Sequence, residues 1–258
     1  MRGELLTVAA GCVALSQVAL ANDQDTEFTD DFPIEDCNFI PRGGNPFFDL
    51  TPGRQLYLSN QQCVAEGKCD ELEELWITVL PETRKVVIND GGGKRSIATR
   101  VVEEKETADG ELVEISRNFF ATCRPSNDVY YFGEEVDIYE GGKIVDHEGQ
   151  WLAGRDKAAP GIIMPHSGFL IGARYYQELA PDVALDRAEH VAVDLKVETP
   201  AGVFHDCIKV IETSPLEPGQ ESTKLYCPRV GQIADGELLL QAVYEPKADK
   251  RGAAPAEN

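Results

Sequence analysis

Between residues 54 and 243, apolar and polar positions alternate with period two in one short run after another. That is the signature of strands with one face buried. "RQLYLSN" and "ELEELWITVL" flank a short polar tip. "RSIATRVVEEKETADGELVEISRNFFATC" reads as two long strands joined at Ala108-Asp109-Gly110. Asp-Gly between such runs is a strong hairpin signal. "DVYYFGEEVDIYEGGKIVDHEGQW" predicts a second hairpin around Gly141-Gly142. A third turns near Pro200-Ala201-Gly202, and "STKLYCPRVGQIADGELLLQAV" continues it. No stretch holds a long helical period. "GARYYQELAPDVALDRAEH" is ambiguous, and Pro181 interrupts it. Consecutive hairpins with short turns predict an all-β fold. The expected form is an antiparallel meander curling into a strongly curved sheet, half-barrel or barrel. The proline-bearing stretch 153–176, "AGRDKAAPGIIMPHSGFLIGARYY", is expected to be one long crossing loop over an open end of the sheet.

The ends of the chain break this pattern. "MRGELLTVAAGCVALSQVALA" has a basic start, an apolar run and a small-residue site at Ala19-Leu20-Ala21. It reads as a signal peptide over residues 1–21, with a lipoprotein anchored through Cys12 as the alternative. Residues 22–36 hold seven acids and no base, and predict a solvated, mobile arm. A single β-rich domain is expected over 37–245, followed by a disordered tail over 246–258. No later apolar run is long enough to span a membrane.

Charge and cysteines narrow the setting. Among the 258 residues, 45 acids stand against 24 bases, a formal net charge of −21. Nucleic acid, which demands a basic surface, is excluded as a natural partner. Apart from Cys12 there are six cysteines, an even number suited to disulfides in an exported chain. Cys63 and Cys69 bracket "CVAEGKC". Cys207 and Cys227 flank "SPLEPGQE" as a cross-strand pair would, which leaves Cys37 and Cys123. Zinc is the rival use of these thiols, but C-x-x-C and His at ligand spacing are both missing. The expected location is periplasmic or secreted.

Catalytic motifs fail on inspection. "DGGGKRS" lacks the glycine spacing of a phosphate loop. "MPHSGF" has Pro165 where a nucleophile elbow needs Gly. Trp76 and Trp151 read as core anchors rather than sugar platforms. The hairpin at Gly141-Gly142 is the richest stretch. A two-residue turn would pair Ile138 with Val145, Val136 with His147, Glu134 with Gly149 and Phe132 with Trp151. One face would then carry Phe132, Glu134, His147 and Trp151, a carboxylate and an imidazole among aromatics. The other would oppose Asp137 to Asp146 and Glu135 to Glu148. Screening by water and salt, or a bridging calcium ion, would relieve that repulsion.

Taken together, "NPFFDLTPGRQLYL", "TRVVEEKETADGELVEISRNFFATC", "YYFGEEVDIYEGGKIVDHEGQWLAG", "PGIIMP", "GARYYQELAPDVALDRAE" and "TSPLEPG" resemble a family of exported bacterial proteins of unknown function. The resemblance spans about Cys37 to Leu240. It implies an exported, β-rich bacterial protein and brings no catalytic residues with it. The first functional expectation is a non-enzymatic binding protein. It would hold a small apolar ligand or a protein partner between the concave sheet and the 153–176 loop, through Phe132, Glu134, His147 and Trp151, without a required cofactor. The alternatives are a hydrolase using Glu134 and His147, and an envelope or matrix component stabilised by calcium at Glu135, Asp137, Asp146 and Glu148.

Overall fold

The structure is a computed structural model that describes residues 27–166 and 169–246. The leader, Cys12 and all but the first residue of the tail lie outside the described residues. Short pieces come first: β1 (Phe39–Ile40), β2 (Gly44–Asn45), β3 (Phe48–Asp49), β4 (Gln55–Ser59) and the one-turn helix α1 (Gln61–Ala65). Long hairpin strands follow as β5 (Glu73–Asn89), β6 (Lys94–Ala108), β7 (Glu111–Cys123) and β8 (Val129–Glu140). The middle of the chain holds β9 (Lys143–Asp146), β10 (Trp151–Leu152), β11 (Ala159–Met164), β12 (Arg174–Tyr176) and β13 (Glu178–Leu179). The last five are β14 (Arg187–Thr199), β15 (Gly202–Thr213), β16 (Ser222–Cys227), β17 (Gly231–Asp235) and β18 (Leu238–Tyr244). Among the described residues no helix is long and apolar enough to cross a membrane.

All strands but β2 and β3 belong to one antiparallel sheet, whose main path runs β12-β14-β15-β16-β17-β18-β4-β5-β6-β7-β8-β11-β13, with β1 on β7 and β9 and β10 on β8. Its two ends, β12 and β13, are separated in the chain by Gln177 alone, so the sheet curls into a nearly closed barrel with one seam. Gly161 makes that seam possible. A Cβ there would lie 2.4 Å from the Gln177 carbonyl oxygen and 2.6 Å from that of Tyr176. β5 carries Pro81 where its register against β6 slips, between Val79 and Thr83. A proline's missing N–H is harmless at such a bulge. The buried Arg100 collects the freed carbonyls of Pro81 and Glu82 at 2.7 and 3.1 Å.

One end of the barrel is plugged. The β2–β3 hairpin turns Phe47 and Phe48 toward Leu56, Ile77, Val79, Val102 and Tyr226, leaving a gap of about 40 Å³. Gly44 is fixed in this role by φ +88 at Gly43 before it, its own φ of +91, and a Phe48 carbonyl where its Cβ would be. Disulfides close Cys37–Cys123, Cys63–Cys69 and Cys207–Cys227, the pairs suggested by spacing.

Two expectations change here. Residues 27–36 are not a free arm, because apolar side chains punctuate the acids. Phe28 stacks beneath Arg187 at 4.2 Å, and Phe32 packs on Tyr130 at 6.1 Å. Thr29 adds to β12 through two backbone hydrogen bonds, to Arg174 and from Tyr176. The stretch 153–176 is likewise no simple crossing loop, since it supplies β11 and β12 to the barrel wall. Its prolines are accommodated because β11 is short and pairs with β13 through only two residues.

Candidate functional site

The unplugged end of the barrel holds a cavity of about 430 Å³. β6 contributes Glu104 and Glu106, β7 Glu114, Ser116 and Asn118, and β8 Tyr131 and Glu134. From the opposite wall come Gln177, Glu178, Glu212 of β15 and Lys224 of β16, with Asp186 and Glu217 on mouth loops. The strand register accounts for this convergence. Glu104 sits opposite Ser116, Glu106 opposite Glu114, and Asn118 opposite Glu134. A bulge between Asn118 and Phe120 brings Tyr131 to the same face as Glu134, with Gly133 at φ +125 absorbing the extra residue. Val183 and Leu216, both more than two-fifths exposed, form apolar parts of the rim.

Eight carboxylates and one ammonium line this space. Lys224 Nζ bonds Glu212 Oε2 at 2.9 Å and lies 3.6 Å from Asp235 Oδ2. Gln177 Nε2 donates to the other Glu212 oxygen at 2.8 Å. Burial opposes the charge on Lys224, but Glu212 and Asp235 more than compensate and hold its pKa well above the ordinary lysine range. The carboxylates move the other way. Burial, reinforced by Glu106 and Asp235 against the pull of Lys224, lifts Glu104 to about 7. Burial and Glu114 lift Glu106 to about 7. Glu134 rises to about 8, through burial and the charges of Glu104, Glu114 and Asp186, against a hydrogen bond from Tyr131. Glu178 stands well above the carboxylate range through burial and its neighbour Glu134. Near neutral pH part of this set is therefore protonated.

The residues expected from the hairpin are dispersed. Glu140 opposes Lys143 across the turn, but a bulge then places Asp146, not Val145, near Ile138. β9 ends there, and Trp151 comes opposite Glu134 rather than Phe132. The cause is local: Asp146 Oδ1 accepts the His147 N–H at 2.7 Å and turns the chain out of the ladder. His147 is half-exposed and its Nδ1 sits 3.1 Å from Asp137. Glu134 points into the cavity, so Glu134 and His147 do not form the expected pair. Phe132 is fully buried under Phe39 at 5.0 Å and does not line the cavity. Trp151 packs its edge against Tyr131 and borders a side opening of about 270 Å³ beside Glu134.

On the other face, arginines neutralise two of the four acids. Glu135 pairs with Arg84 at 2.8 Å, and Asp137 pairs with Arg117 at 3.1 Å as well as with His147. Asp146 is used by the His147 backbone, and Glu148 is exposed. Among the described residues no group of three or more His, Cys, Asp or Glu side chains is arranged to hold a metal ion. Trp76 lies outside both apolar clusters, stacked between Tyr57 at 4.3 Å and Tyr244 at 5.9 Å on the outer wall.

Comparison with known proteins adds little to this geometry. No family model matches the chain. No curated protein matches it either. Among solved structures, a Bacteroides fragilis protein described as exported and of YmcC-like fold is similar. It aligns over 81% of this chain and 100% of its own, with 17% identity and a TM-score of 0.32. That level of similarity transfers no role. The three disulfides point to an oxidising, extracytoplasmic compartment.

Proposed function

We propose that this is an extracytoplasmic binding protein whose barrel cavity takes a small, positively charged ligand. The supporting observation is the excess of eight carboxylates over one ammonium inside a cavity of about 430 Å³. That volume falls in the range of small-molecule sites, about 300–1,000 Å³. An apolar ligand, the first expectation from sequence, would strip water from these carboxylates without replacing its hydrogen bonds. A cation offsets the same desolvation. The hydrolase reading loses the pair it was built on, because His147 stands outside the cavity that Glu134 lines.

A thermal-shift panel of small amines, their neutral isosteres and small anions tests this reading. Amines are expected to raise the melting temperature and the other two classes to leave it unchanged. Stabilisation by neutral or anionic compounds alone, or by none of the panel, overturns it.

A further inference from the structure

Resting on that reading, the geometry points to Glu134 and Glu178 as the recognition pair for a primary ammonium group. The ligand's apolar portion would lie on Val183 and Leu216 at the rim. Glu178 is the distinguishing residue. It is 8% exposed and lines the cavity, yet its carboxyl has no hydrogen-bond or ionic partner among the described residues. Glu212, the cavity carboxylate of equal burial, differs in this respect. Glu212 is satisfied by Gln177 and Lys224, and Asp235 by Ser222, Gln232 and Lys224. The Glu178 carboxyl opens into the cavity, where an ammonium group could replace water as its partner.

The two carboxyls share one cavity: β13 lies against β8, and Glu134 is the foremost charged neighbour of Glu178. Glu134 shares the cavity-facing side of β8 with Tyr131. An ammonium carries three donors and one charge, which suits two carboxyls that repel one another when both are ionised. A quaternary amine lacks those donors. The rim supplies the second half of the ligand's description. Val183 and Leu216 line the same cavity at its open edge, where a short alkyl chain would emerge.

Binding would exchange protons on the pair for the ammonium, releasing protons to solvent. The charged groups facing the pair are Glu104 of β6, Glu114 of β7, Asp186 ahead of β14, Glu212 of β15 and Lys224 of β16. Four of these five are acids, so the surrounding field favours the incoming cation as well.

The test is calorimetric titration of the full chain with hexylammonium, methylammonium, hexyltrimethylammonium and hexanol, near pH 6.5 in two buffers of different ionisation enthalpy. Hexylammonium is expected to bind more tightly than the other three and to release protons. Glu178→Gln is expected to weaken it about tenfold or more, the scale of a lost charge-assisted hydrogen bond. Glu134→Gln should do the same. Leu216→Ser should weaken hexylammonium while leaving methylammonium unchanged. Replacing the carboxyl by its amide removes the group that would ionise to pair with the ammonium and keeps the size of the side chain, and equal melting temperatures would verify folding. If amines bind wild type and both Gln variants equally, the pair is wrong while the cationic-cavity reading stands. If no amine binds wild type, both fail.

Discussion

Replacing Lys224 by Met removes the cavity's one cation and keeps the length of its side chain. Lys224 Nζ lies 2.9 Å from Glu212 Oε2 and 3.6 Å from Asp235 Oδ2. The Glu212 side chain is only 9% exposed, while Lys224 retains 25%. Removing one partner of a buried ion pair strands the other charge at a cost of about 3–5 kcal/mol. The residual exposure of Lys224 places this case at the low end, about 3 kcal/mol. For a domain of this size each kcal/mol moves the melting temperature by about 2–4 °C, so a drop of about 6–12 °C is expected. Circular dichroism melts at pH 7.5, with disulfides oxidised, measure it directly. The double variant Lys224→Met/Glu212→Gln should recover at least half of the loss, because the amide needs no counter-ion. A Lys224→Met protein melting within about 2 °C of wild type would refute the claim that this ammonium holds the interior together.

Stability should peak in mildly acidic solution. The raised carboxylates Glu104, Glu106 and Glu134 contribute stability that is full below their ordinary range and lost as pH climbs through about 7 to 8. Burial lowers His190 to about 4, so its contribution is full above the ordinary histidine range and lost as pH falls toward 4. A melting-temperature profile that rises steadily to pH 9 contradicts both assignments. Gly161→Ala should destabilise the seam by more than about 3 kcal/mol, the large end of single substitutions, seen as a lower urea midpoint. On loop-closure entropy, opening Cys37–Cys123, which spans 86 residues, should cost about 4.6 kcal/mol against about 2.2 for Cys63–Cys69 with 6. Denaturant melts of paired Cys→Ala variants give the order, and the reverse order would sink that account.

The hairpins and their curvature were legible because period-two alternation and the turns at Asp109-Gly110 and Gly141-Gly142 are local properties. The seam was not, since it depends on Gly161 meeting the Gln177 carbonyl, a contact that no local pattern encodes. The cavity was half visible. Val102, Glu104 and Glu106 alternate correctly on β6, but a polar inner face looks the same in sequence as a polar outer one. Only closure of the barrel turns those acids toward a shared cavity, by setting Lys224 and Glu212 across from them. The hairpin residues misled for a simpler reason. One bulge near Val145 shifts the register, and a single-residue slip exchanges faces. Phe28 and Phe32 were hidden among seven acids, where composition outweighed the two aromatics that hold the segment down.

The ladder between β4 and β18, with Gln55 opposite Tyr244, sets the barrel's first strand beside its last. The wall is thus two meanders, β4 through β8 and β14 through β18, each built of neighbours in sequence. They meet at this ladder and again through β11, β12 and β13. Local pairing can assemble each half early, whereas the β4–β18 ladder must wait for partners about 185 residues apart to meet, the slow kind of contact. It also means that a short linker could join the two ends of the wall and the chain could be reopened at a hairpin tip such as Asp109-Gly110. Such a circular permutant, lacking the β1–β3 segment, would keep β4 through β18 in place while changing which half emerges first during synthesis.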